Sequence, residues 1–156
     1  MWRVTAVLLV LFSSTAATLG QTGHGRIPSA SGNTQSDPHT PDRGSDERKI
    51  LMDALRAPVE KKLRQEVIFK VGHLKVQDGW AFFIGKPERP DGTPVDYSKT
   101  VYKDAIAAGA FDDGIVALLH DVSGKWRVIQ YVIGATDVPY VDWDKKYHAP
   151  KAIFEQ

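Results

Sequence analysis

The chain has no cysteine. That excludes a disulfide scaffold, a thiolate metal site, a cysteine nucleophile and a lipidated cysteine behind an export signal. It also lacks an excess of either charge, with 20 basic against 19 acidic residues and no basic cluster. Such a balance leaves no electrostatic footprint for nucleic acid or an anionic membrane surface. Catalytic signatures are missing too. There is no G-x-S-x-G, and no histidine pair stands at helical metal-ligand spacing. The stretch "GWAFFIGKP" imitates a phosphate loop, but five residues separate Gly79 from Gly85 where the motif needs four. Pro87 also occupies the place of its magnesium-binding hydroxyl. No metal or cofactor is implied.

What is present begins with "MWRVTAVLLVLFSSTAATLG", residues 1 to 20. A positive start, an apolar run from Val4 to Phe12 and a tail of small residues form the pattern of a secretory signal peptide. The apolar part is too short to span a bilayer. Cleavage after Gly20 would start the mature protein at Gln21, with Ala17 as the alternative site, and no membrane span is expected after removal. Arg3 is the only charged side chain removed, so the exported chain would carry equal numbers of basic and acidic residues.

Residues 21–44 have one large aliphatic residue, Ile27, among Gly, Pro, Ser, Thr and polar residues. Such a segment buries too little to offset the entropy of ordering it, so a flexible tether is expected. His24 and His39 fall within it and are poor candidates for preorganised chemistry.

A single α+β domain is expected over 45–156. Ile50, Leu51, Ala54, Leu55, Val59 and Leu63 form a helical stripe, with Ser45 or Asp46 as cap and a kink or break near Pro58. An antiparallel sheet of about four strands follows. In "EVIFKVGHLKV", Val67, Phe69 and Val71 have one parity and Leu74 and Val76 the other, which places a bulge at Gly72-His73. Asp78-Gly79 and Ser123-Gly124 are hairpin turns. Residues 86–99, with three prolines, read as a long exposed loop, and "TVYKDAIAAGAF" holds a short helix.

The strands are apolar on both faces. Trp80, Phe82 and Ile84 oppose Ala81 and Phe83, and Trp126, Val128 and Val132 oppose Ile129, Tyr131 and Ile133. Trp126 is expected to be buried on a central strand. One helix covers one face. The other must be closed by the C-terminal segment, the long loop, a partner subunit or a ligand.

The candidate site is therefore the second face with residues 136–148. Thr136, Asp137, Tyr140, Trp143 and Tyr147 are the candidate binding residues. Tyr140, Trp143 and Tyr147 stand at three- and four-residue spacing, on one face of a helix. That face either seals the core or stacks a ligand. Asp137 either closes a turn or serves as a general base, with His120 or His148 assisting in an enzymatic reading. His120-Asp121 cannot form a local dyad, because adjacent strand residues point to opposite faces.

The pieces "RKILMDALRAPVEKKL", "DGWAFFIGKP", "VALLHDVSGKWRVIQYVIGATDV" and "WDKKYHAPKAIF" resemble small exported, periplasmic bacterial proteins without an assigned activity. The likeness covers residues 46–156 and carries over no catalytic residue. The order of helix then meander is also similar to cystatin-like and nuclear-transport-factor-2-like folds, the latter often using a concave sheet for ligands. Three functions are expected from these readings: a binding module for an apolar ligand or a protein, a small pocket enzyme of hydrolase or isomerase type, or a structural protein, with a homodimer as one form.

Overall fold

The computed structural model describes residues 36–156. The expected leader and residues 21–35 lie outside the described residues. Helix α1 (Asp46–Leu63) is followed by strands β1 (Ile68–Gln77) and β2 (Trp80–Glu88), a short helix α2 (Lys103–Ala107), then β3 (Ile115–Asp121) and β4 (Trp126–Ile133). Helix α3 (Trp143–Tyr147) and a 3₁₀ turn at Lys151–Phe154 close the chain. The four strands form one antiparallel sheet in the order β1-β2-β3-β4, with α1 packed on one face. No described helix is long and apolar enough to cross a membrane.

α1 starts where Ser45 accepts the Arg48 N–H at 3.2 Å and where Asp46 and Glu47 face the positive end of the helix dipole. It ends at Arg64, in the left-handed region at φ 57°. Pro58 does not divide it; the helix runs through as one element. The buried stripe is Leu51, Met52, Leu55, Val59 and Leu63. Ile50, expected in that stripe, is 52% exposed, and Met52 takes its place.

Asp78 and Gly79 have φ 48° and 76°, and Ser123 and Gly124 have 57° and 78°. Positive φ at both central residues is the tight hairpin geometry that follows the twist of the strands. Bulges set the faces. Val71 pairs with Gly85 and His73 with Ile84, so Gly72 is the extra residue. Phe69, Val71, Leu74 and Val76 consequently all lie on the α1 side of the sheet. A second bulge was hidden in the sequence. Leu118 pairs with Gln130 and Leu119 with Val128, leaving Ile129 over. It turns Trp126 and Val128 to the α1 side together with Tyr131 and Ile133, where simple alternation opposes them. Trp126 is half-buried, and β4 is an edge strand rather than a central one.

Two other boundaries move. β2 extends through Pro87 to Glu88: β3 stops opposite Gly85, so Pro87 pairs with β1 alone, and beyond it Glu88 is bridged to Pro94 as well as to Ile68. Proline is tolerated where a strand is paired on one side. The segment 89–99 is not all exposed: Val95 is buried, and Gln65 exchanges two hydrogen bonds with the Asp96 backbone at 2.7 and 3.0 Å. The end of the expected tether is docked as well. His39 exchanges backbone hydrogen bonds with Val76 at 2.9 and 2.8 Å, and Ser36 Oγ donates to Asp78 at 2.8 Å.

Candidate functional site

The second sheet face is filled by the chain itself. Phe82 and Leu118, both 0% exposed, are covered by Trp143, Ala149 and Ile153, with Tyr140, Tyr147 and Phe154 around them. The Phe82 ring lies 4.8 Å from Tyr140, 4.6 Å from Phe154 and 6.4 Å from Trp143, the last edge-on. Trp143 in turn meets Tyr147 edge-on at 6.3 Å. His73, on the neighbouring strand β1 and edge-on to Phe82 at 5.6 Å, fixes the far end of this cover. Its Nε2 lies 2.9 Å from the Ile153 carbonyl, which can only accept, so the Nε2 position carries the hydrogen. Lys75 donates to the Glu155 carbonyl at 2.7 Å. The three aromatic candidates thus face inward and seal the core.

Thr136 and Asp137 lie outside this cover, both exposed. Their approach is set by Gly134, at φ 82°, where a Cβ would run into the Phe111 ring. Asp137 borders a hollow of about 240 Å³ with Asp112, Val138, Tyr140 and Gln156. It has no hydrogen-bond or ion-pair partner among the described residues. Asp112 already accepts the Gly114 N–H at 2.7 Å. No histidine lines the hollow. His120 stacks on Trp80 at 4.0 Å, at the opposite end of β3 from Ile115, which lines the hollow. Five strand residues at ~3.3 Å each put these ends roughly 16 Å apart. His148 caps α3 with φ 57°, exposed. Asp137 and the two histidines therefore do not assemble as an acid–base group. Among the described residues no three His, Asp or Glu side chains gather as a metal site.

The larger concavity lies elsewhere. Between the N-terminal half of α1 and strand β1 runs an open groove of about 570 Å³. Its floor is Met52, Phe69 and Val71, and its rim carries Arg43, Arg48, Lys49, Arg56 and Lys70. Arg48, Met52 and Arg56 recur every four residues, so one helix face presents them together. The only acidic residue in the lining is Asp53, bonded to Lys49 at 2.6 Å and to Arg56. Hydrogen bonds from these two hold its carboxyl below the usual range. A second hollow of about 440 Å³ shares Arg43, Arg48 and Val71 and extends along β1 to Leu74. In the sequence these basic residues form no contiguous cluster. The strand order that makes β1 an edge was needed to see the groove.

The chain matches no family model, no curated protein and no solved structure.

Proposed function

We propose that this is an exported interaction module, binding rather than catalytic, that holds a protein partner along the outer edge of β1. One observation carries the reading: both faces of the sheet are filled from within, while the β1 edge stands open beside a groove of about 570 Å³. An apolar ligand on the second face would have to displace Trp143 and Ile153 from Phe82. A pocket enzyme built on Asp137 has no histidine within its hollow. Export is supported by the signal-like pattern of residues 1–20.

The test is site-specific photo-crosslinking in the exporting cell. A photoreactive residue at Lys70 is expected to yield an adduct, and one at Asp137 none. Adducts confined to Asp137 would move the partner to the 136–148 segment, and no adduct at either position would remove the reading. Intact mass of the exported chain is expected to begin at Gln21; retention of residues 1–20 would overturn export.

A further inference from the structure

The groove has a feature that narrows the partner. β1 is paired with β2 on its inner side and, among the described residues, on its outer side only at Val76, by His39 of the same chain. Both backbone bonds of that bridge are formed, so the Val76 N–H and carbonyl point outward. The two-residue period of a strand directs the Leu74 backbone groups the same way. Among the described residues nothing bonds to the outer edge from Ile68 to Leu74. The edge therefore already accepts an added antiparallel strand at one end and is open along the rest.

The chain's own flank does not continue into the open part. His39 opposite Val76 and Ser36 on Asp78 mean that this segment arrives from the turn end of β1. After Thr40 it departs through Pro41 to the cap of α1, where the Pro41 carbonyl accepts from Arg48 at 3.0 Å. A second copy, paired edge to edge, would bring two cationic rims together, which opposes self-association. The groove's charge instead complements an acidic partner: five cationic side chains line it against one carboxylate, and that carboxylate is already held by two of them.

We infer that the partner, on the reading above, is an extended acidic peptide segment that adds to β1 as a further strand between Ile68 and Leu74. Its backbone takes the open hydrogen bonds, and its carboxylates meet Arg43 and Lys70 at the rim. Main-chain bonds supply affinity in this mode, and alternate side chains supply selectivity. A polyanion such as nucleic acid uses the same charge without needing the strand edge.

The experiment uses the chain purified after export and three blocked synthetic peptides. One alternates Glu and Val, one alternates Lys and Val, and one is the Glu/Val peptide N-methylated at alternate residues. Fluorescence titration is expected to show the Glu/Val peptide binding at least about tenfold more tightly than either other. Hydrogen exchange is expected to slow at residues 68–74. The R43E/K70E pair is expected to weaken binding at least about tenfold while its thermal midpoint stays that of the parent. Equal binding of the methylated peptide, or of a single-stranded oligonucleotide, would overturn strand addition while leaving the groove reading standing. Binding that protects residues 136–148, or no binding at all, would overturn the inference; crosslinks from Lys70 decide separately whether the groove is used.

Discussion

The two faces of the sheet are closed in different ways. On the first, an 18-residue helix lays Leu51, Leu55 and Val59 against Leu74, Phe83 and Leu119. On the second, two single helical turns and their connections place Tyr140, Trp143, Tyr147 and Phe154 over Phe82 and Leu118. A regular helix covers a sheet with a periodic aliphatic stripe. A short irregular segment has few residues to spend, and aromatic rings bury the most surface per residue. Clustered aromatics near the C-terminus are thus the cost of closing a face with little chain. What the fold leaves uncovered among the described residues is the β1 edge.

The comparison breaks most sharply at Trp143. If the second cover is as integral as the first, Trp143→Ala costs about 3–5 kcal/mol, as does Phe83→Ala on the helix side. Denaturant midpoints compare the two, and a cost below about 1 kcal/mol for Trp143 alone would mark its cover as loosely docked. The junction between the faces comes next. Gly134→Ala meets both a positive φ and the Phe111 ring, so a loss of about 1–3 kcal/mol is expected in the same melts.

Tyr97 sharpens the account of the first face. Its hydroxyl is buried without a partner among the described residues, and burial, then the nearby Asp113 carboxylate, pushes its ionisation up to about 12 from 10. An unfolded tyrosine ionises first, so stability is unaffected below pH 10 and falls as pH rises toward about 12. Tyr97→Phe is expected to flatten that slope and to leave neutral-pH stability unchanged or raised by up to about 1 kcal/mol. A steeper slope in the variant would contradict this. The smallest effect belongs to Asp137→Asn. Exposed and unbonded among the described residues, it is expected to change stability by less than about 0.5 kcal/mol. A larger loss in the denaturant midpoint would mean that Asp137 holds its loop.

The α+β plan was legible because periodicity and turn chemistry are local. Asp78-Gly79, Ser123-Gly124 and the parity change at Gly72 carry their signals in the residues themselves. Ile129 does not. Its bulge is imposed by the register against Leu118 and Leu119, so the facing of Trp126 was misread. Ile50 and Met52 flank Leu51 on opposite sides of α1, about 100° away each, and only the sheet beneath decides which flank is buried. Pro87 reads as loop until β3 is seen to stop opposite Gly85. His39 and Ser36 lie in a polar, proline-rich stretch whose docking uses hydrogen bonds, which leave no hydropathy pattern. The aromatic trio was found, but whether it faces in or out depends on Phe82, more than fifty residues earlier. The groove was missed because an edge is a property of strand order, not of a strand's own residues.

The second face is closed by the C-terminal segment, and the β1 edge is open from Ile68 to Leu74 among the described residues. Native-state hydrogen exchange, residue by residue, tests both at once. The bonded amides of Trp143, Lys146, Ala149 and Ile153 are expected to exchange with the same opening free energy as the central strands β2 and β3, because one core holds them. The outward-facing Leu74 amide is expected to exchange far faster than its inward-facing neighbours on β1. Fast exchange at residues 143–153 while β2 and β3 stay protected would contradict this closure: the C-terminal segment would then be a lid over a ligand-accessible face.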